Sequence, residues 1–135
     1  MIIFKIPGEP QGKARPRITK FGTYTPEKTV NYEALIKQIA SIEAKEFYQE
    51  EPLEICIDAY FTIPKSASKK KCKDMLERKI LPCKKPDFDN LAKAIADACN
   101  GICYKDDAQI VRAIVNKFYA DIPRVEVTLT KYEGA

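Results

Sequence analysis

The chain carries, at residues 85–93, the stretch Lys85-Pro86-Asp87-Phe88-Asp89-Asn90-Leu91-Ala92-Lys93. Pro86 disfavours helix in the residue before it, so a helix can begin only after Lys85, with Asp87 or Asp89 as its cap. Asn100-Gly101 supplies a left-handed stop at the other end. Between these signals, apolar residues recur at helical spacing: Leu91, Ile95, Ala98 and Cys99. The pattern therefore predicts a helix of about three turns.

The predicted helix has a polar face. Asp89, Lys93 and Asp97 lie four residues apart and project from one side of it, and the chain continues to the pair Asp106-Asp107. Each acid alone is consistent with a structural role: a helix cap, an exposed ion pair between Asp89 and Lys93, or a turn before a strand. Capping, however, accounts for one aspartate and not for the two that flank Phe88. The combination favours a functional site.

The composition limits the kind of metal that these carboxylates can bind. The chain has no histidine, and carboxylate oxygens suit a hard cation, Mg²⁺ or Mn²⁺, better than zinc or copper. Such ions bind phosphate oxygens and can activate water for attack on a phosphodiester. Lys93, one turn beyond Asp89, is placed to stabilise charge on the phosphate rather than to act as a base, since an exposed lysine is protonated at neutral pH.

Together these residues match a known family. Asp-x-Asp-Asn-x-x-Lys on a helix, followed after Asn-Gly by an Asp-Asp pair, resembles the RusA-type Holliday-junction resolvases, or crossover junction endodeoxyribonucleases. These are small homodimeric endonucleases of bacteria and their prophages. Residues 8–17 are similar to the Pro-rich basic N-terminal segment of the family. The likeness covers most of the chain, but only residues 85–111 are specific to the family.

The resemblance implies a site and a reaction. Asp87, Asp89 and Asp107 would be the metal-binding catalytic carboxylates, Asp106 a neighbour that shares or supports the metal site, and Lys93 the catalytic lysine. The cofactor would be Mg²⁺, with Mn²⁺ as a substitute, and no nucleotide cofactor is expected. A homodimer would cut four-way junction DNA by paired symmetric nicks in recombination and repair, leaving 5′-phosphate and 3′-hydroxyl ends.

Basic residues fall in two blocks. Lysine and arginine number 23 against 19 acids, a net charge of +4, and the blocks lie in a flexible loop at 8–26 and a variable segment at 65–84. Such blocks are typical of phosphate-backbone binding, although a lysine run is as often a solvated face. The predicted DNA contacts are Lys13, Arg15, Arg17, Lys20, Lys69, Lys70, Lys71 and Lys85.

Cysteine usage and hydropathy indicate the compartment. Five cysteines form an odd set with no Cys-x-x-Cys spacing, and no histidine completes a zinc site. The favoured role of the cysteines is that of small apolar side chains buried in the core. The N-terminus does not resemble a signal peptide, and no apolar run approaches membrane-spanning length. We expect a cytoplasmic protein that does not bind membranes.

The remaining pattern predicts an α+β fold in a single domain, residues 1–135. The sheet is expected to be mixed or antiparallel, with about four strands and with helices packed mainly on one side. Residues 109–119 are apolar on both faces, which favours a central strand. Strands are predicted at residues 2–6, 53–63, 109–119 and 124–131, with a short ribbon at 17–24, and further helices at 26–48 and 66–79.

The predicted elements suggest how the site assembles. Asp106 and Asp107 would begin a central strand beside the start of the helix that carries Asp89, so that Asp87, Asp89 and Asp107 share divalent ions. Crowded carboxylates should then raise at least one pKa. Two other functions use the same residues: a different magnesium phosphohydrolase acting on nucleotides, which would not need the basic loop, and a junction-binding module that never cuts.

Overall fold

A four-stranded mixed sheet carries the fold. The computed structural model describes residues 1–13, 17–20, 22–24 and 27–134. In chain order its elements are β1 (Ile2–Pro7), β2 (Arg17–Thr19), β3 (Gly22–Tyr24), α1 (Glu27–Glu43), β4 (Leu53–Thr62), α2 (Lys69–Leu76), α3 (Phe88–Cys99), β5 (Ile110–Ala120) and β6 (Arg124–Lys131).

The sheet has the order β1-β6-β4-β5. β6 pairs antiparallel with both β1 and β4, whereas β4 and β5 are parallel. Alternate residues of β4 are buried, as the period-two pattern of residues 53–63 predicts. The predicted α+β class with a mixed sheet is confirmed.

Two helices cover one face of the sheet. α3 buries Leu91, Ile95 and Ala98, and α1 packs against both α3 and β1. The predicted helix 26–48 is too long, because α1 ends at Glu43. Tyr48 instead exchanges backbone hydrogen bonds with the segment after α3: its N–H donates to the Cys103 carbonyl at 3.0 Å and its carbonyl accepts from the Lys105 N–H at 3.1 Å. Those bonds require residue 48 to leave the helix.

β5 lies at the edge of the sheet, so the predicted central position is wrong. Within the described part of the chain it pairs with β4 alone. Different parts of the protein pack on the two apolar faces of β5. Val115 and Tyr119 pack against the core on the face that carries α3, while Phe118 on the other face lies 3.9 Å beneath the Arg78 guanidinium, just after α2. Apolarity on two faces shows that both are covered, not that strands lie on both sides.

The basic loop is anchored where it begins. The Gly8 N–H donates to the Pro123 carbonyl at 3.2 Å, and the Glu9 carboxylate accepts from the Thr62 hydroxyl at 2.5 Å. The predicted ribbon is present as the antiparallel pair β2 and β3. The basic segment that follows β4 contains α2, whose N-cap Ser68 accepts from the Lys71 N–H at 3.2 Å. Among the helices described, none is long and apolar enough to cross a bilayer.

Candidate active site

The start of α3 leaves two carboxylates exposed. Asp87 is the N-cap residue, with extended backbone angles of φ −66° and ψ 157°, yet its side chain makes no capping hydrogen bond to the described residues. Asp89 follows in the first turn, and the preceding Lys85–Pro86 peptide bond is cis. Capping therefore does not occupy the Asp87 oxygens.

The polar face of α3 forms one wall of a cleft of about 320 Å³. The opposite wall is formed by the beginning of β5, with Ile110 and Ala113, and by Asp107, which precedes β5 in the chain. We call this the acidic cleft. Its charged lining residues are Asp89, Lys93, Asp97 and Asp107. The predicted common face of Asp89, Lys93 and Asp97 is thus observed.

Asp107 is held in the cleft by the residue that caps α3. The Asn100 side chain accepts from the Asp107 N–H at 2.9 Å, and its amide lies 3.4 Å from Asp107 Oδ2. Burial raises the pKa of Asp107, Asp106 and Asp97 add to that rise, and the Asn100 hydrogen bond opposes it. The expected raised carboxyl pKa is therefore found, although burial contributes more than repulsion.

Asp106 has a structural role. Its carboxylate accepts from the Ala108 N–H at 3.0 Å and caps the 3₁₀ turn Asp107–Gln109. Gln109 completes the capping box by accepting from the Asp106 N–H at 3.0 Å, and its amide donates to the Tyr48 and Glu51 carbonyls at 3.2 and 3.1 Å. The alternative of a turn before a strand accounts for Asp106, which does not line the acidic cleft.

The predicted convergence of Asp87, Asp89 and Asp107 is only partly found. α3 and β5 run in opposite directions, so the start of β5 meets the end of α3 near Asn100 rather than its beginning. Asp89 lies about three turns, about 16 Å along the helix axis, from Asn100. Asp87 lines a separate groove, which it shares with Asp89. Loop residue Tyr104 fixes this arrangement: it is fully buried and donates to the Ala96 carbonyl at 2.6 Å.

The donors suit a hard cation. Across the described ranges, no three acidic or cysteine side chains are close enough together to hold a metal ion by themselves. Mg²⁺ commonly takes only one or two carboxylates and keeps several waters. The acidic side chains of the cleft are all aspartates, so the cleft can supply the one or two carboxylates that Mg²⁺ takes.

Asp97 is the site residue to which the sequence analysis assigned no role. It links two lysines: its Oδ2 lies 3.9 Å from Lys93 Nζ and 3.2 Å from Lys13 Nζ. Lys13 also pairs with Glu33 at 2.5 Å, and the hydrogen bond to Glu33 is the main reason that its pKa is raised. The spacing of four residues from Lys93 was the available signal for Asp97.

Lys13 belongs to a segment that packs directly on α3. Its N–H donates to the Asn90 carbonyl at 3.1 Å. A Cβ at Gly12 would lie only 2.9 Å from the Cβ atoms of Asn90 and Pro86, so the close approach needs glycine. The Lys13 ammonium, predicted as a DNA contact, already has two carboxylate partners.

The other predicted DNA contacts lie on separate surfaces. Lys85 is exposed beside Asp87. Lys69, Lys70 and Lys71 are exposed in the first turn of α2, and Lys20 is exposed between β2 and β3. Arg17 is described only as a backbone position in β2, and Arg15 lies outside the described residues.

Comparison with known proteins identifies the family. The family model described as "Endodeoxyribonuclease RusA" matches residues 7–130. The chain is also 37% identical over 134 residues to the "Uncharacterized protein YqaN" of Bacillus subtilis (strain 168), an alignment that covers 95% of this chain and 94% of that protein. The resemblance based on residues 85–111 is confirmed, and the chain belongs to the RusA endodeoxyribonuclease family.

Proposed function

We propose that this protein is a Mg²⁺-dependent endodeoxyribonuclease that resolves four-way (Holliday) junctions by paired symmetric nicks in DNA recombination and repair. The main support is the acidic cleft, where Lys93 lies among Asp89, Asp97 and Asp107 in a chain of the RusA family. A cation beside several carboxylates is suited to a metal-dependent attack on a phosphodiester.

Asp89 and Asp107 are proposed metal ligands on the two walls of the acidic cleft, and Asp87, in the adjoining groove, is a third. A bound Mg²⁺, or Mn²⁺ in its place, would supply Lewis-acid stabilisation of the phosphate and lower the pKa of a coordinated water. Asn100 keeps Asp107 oriented. Asp106 supports the turn that presents Asp107, and its place in the metal site stays a prediction from the sequence.

Lys93 stabilises negative charge on the phosphate. Its side chain is 61% exposed, so its ammonium can reach a phosphate that enters the cleft from solvent. Asp97 restrains this ammonium from one side at 3.9 Å. We expect Lys93→Ala to remove most cleavage while junction binding persists, because the lysine acts on the charge that develops in the reaction.

The substrate is four-way junction DNA bound by a homodimer. A junction has a two-fold axis and needs two matched nicks, which a two-fold dimer with one site per subunit can deliver. The exposed lysines of α2, together with Lys20 and Lys85, are the proposed backbone contacts. Arg15 and Arg17 remain predicted contacts from the sequence.

The test is a nicking assay on a synthetic four-way junction with a mobile core, beside linear duplex of the same sequence, with Mg²⁺ and with EDTA. Paired nicks in the junction alone, and only with Mg²⁺, are expected. Binding without cleavage under every metal tried would favour a junction-binding module. If the protein neither binds nor cuts DNA, a nucleotide phosphohydrolase becomes the better assignment.

A further inference from the structure

A second groove adjoins the acidic cleft and shares Asp89 with it. It has a volume of about 640 Å³, and we call it the basic groove because three lysines line it. Its lining residues include Lys84, Lys85, Lys117, Asp87 and Phe88. Phe88 is 65% exposed there.

Two of these lysines converge on one aromatic ring. The ammonium groups of Lys84 and Lys117 lie 5.6 and 5.4 Å from the centroid of the buried Phe61 ring. Lys117 also donates to the Lys84 carbonyl. This bond ties β5 to the segment that leads into α3, and it fixes where the Lys117 ammonium lies.

Neither ammonium has a carboxylate partner among the described residues. In the part of the chain that is described, no carboxylate oxygen lies within 4.0 Å of Lys84 or Lys117. Lys13, by contrast, has two carboxylates. Two cations held over one ring repel each other, and an anion bound between them would relieve that repulsion.

The position of the basic groove indicates which anion. Because β5 runs back along α3, Asp107 marks one end of the combined channel and Lys117 the other, with Asp89 between them. A nucleic-acid strand laid along this channel would carry a phosphate into each half. Exposed Phe88 offers a surface on which a base of that strand can stack.

We propose that Lys84 and Lys117 form a subsite for the phosphodiester next to the one that is cleaved. The inference rests on the proposed nuclease function, and it adds two residues and a direction for the bound strand. The subsite holds the strand in register while the adjacent phosphate occupies the acidic cleft. Its contribution is to binding and positioning, so it does not require metal.

The experiment measures junction binding in EDTA for wild type, Lys117→Met and Lys84→Met as a function of salt. Lys131→Met is the matched control, since Lys131 ends β6 at a distance from the groove, near Glu51. Each groove variant should bind several-fold more weakly, with the slope of log K against log[salt] reduced by about one phosphate contact. Lys117→Arg, which keeps the charge, should restore most of the affinity.

A second arm identifies the phosphate. Junctions carrying a single uncharged methylphosphonate are tested at each position around the cleavage point. For wild type, neutralising one flanking phosphate should weaken binding at least as much as Lys117→Met does. For Lys117→Met the same substitution should have a smaller further effect, because only Lys84 still contacts that phosphate. Equal losses for Lys117→Met and Lys131→Met, or additive losses at every position, would overturn the subsite.

A failure of the proposed nuclease function can be distinguished from a failure of the subsite. If wild type binds junctions without cutting them, the nuclease proposal fails while the binding comparison still decides the subsite. If wild type binds no DNA, both proposals are overturned. Thermal unfolding of each variant separates loss of the subsite from loss of the fold.

Discussion

Asn100 connects the end of the α3 helix to Asp107 and lowers the pKa of that proposed metal ligand, against the rise that burial causes. The change Asn100→Ala removes the interaction that lowers the Asp107 pKa. The pKa should rise further, so the carboxylate stays protonated to higher pH and the acid limb of the pH–rate profile should move upward. Loss of the two hydrogen bonds between Asn100 and Asp107, at least about 1 kcal/mol together, should slow nicking at least about fivefold near neutral pH. Single-turnover nicking across pH measures both effects.

A matched control exists on the opposite face of the sheet. Asn116 donates to Asp58 Oδ1 at 2.8 Å, also an asparagine–aspartate pair, but away from the acidic cleft. Asn116→Ala should leave the pH–rate profile in place. An equal displacement by both variants would contradict the role given to Asn100.

Lys13 illustrates a residue whose surroundings change its interpretation. Its side chain is 23% exposed and lies between Glu33 and Asp97. Lys13→Met should lower the free energy of unfolding by about 1–3 kcal/mol, because two partly buried carboxylates lose their cation. Chemical denaturation measures this cost. Glu33→Gln in the same background should recover part of it.

Lys69→Met provides the comparison, since Lys69 is exposed in the first turn of α2. Substitutions at such positions usually change stability by less than about 0.5 kcal/mol. If Lys13→Met is no more destabilising than Lys69→Met, the ion pairs contribute nothing and Lys13 returns to the set of DNA contacts.

For the helices and strands, local sequence signals predicted the bounds of an element well, but they did not predict how elements lie relative to one another. Pro86 and Gly101 lie beside the two ends of α3 in the sequence and limit its length. The observed helix is the predicted one. The alternation of β4 likewise depends only on the residues of the strand. By contrast, β5 is apolar on both faces although it lies at the sheet edge, because Arg78 and α2, distant from it in sequence, cover one of those faces. Periodicity reports that a face is covered and not what covers it.

The candidate site divides in the same way. The face shared by Asp89 and Lys93 follows from helical spacing and could be predicted. Which member of the pair Asp106-Asp107 enters the cleft depends on the 3₁₀ turn and on Asn100, which the local sequence does not specify. Lys117 lines the basic groove beside the site only because β5 runs antiparallel to α3, so no motif could indicate it.

The turn before β5 offers a test at this scale. Gln109→Ala removes three hydrogen bonds that tie the turn to Asp106, Tyr48 and Glu51. We expect a loss of about 1–3 kcal/mol of stability, because two partly buried carbonyls lose a donor. Nicking should also slow, since Asp107 is no longer held. Thermal unfolding and single-turnover nicking are the measurements.

Gln38→Ala on the exposed side of α1 is the control for that variant. It should leave stability and nicking nearly unchanged. Destabilisation by Gln109→Ala with a wild-type nicking rate would mean that the turn does not position Asp107.

For the whole molecule, divalent ions should couple activity to stability. Mg²⁺ or Mn²⁺ bound in the acidic cleft favours the folded chain, by about 2.7 kcal/mol when the ion is at 100 times its Kd. The Tm should therefore rise with either ion. Asp89→Asn should abolish the rise, whereas Asp121→Asn, in the exposed turn between β5 and β6, should keep it. An undiminished rise in Asp89→Asn would place the ion elsewhere.

If the acidic cleft between α3 and β5 cuts DNA, Asp89→Asn should lose single-turnover cleavage of a four-way junction. Junction affinity is measured in parallel, with Asp121→Asn as the control. We predict that Asp89→Asn loses at least about 100-fold in cleavage rate while binding the junction normally, and that Asp121→Asn matches wild type. Cleavage by Asp89→Asn at the wild-type rate would contradict the assignment of the cleft as the active site.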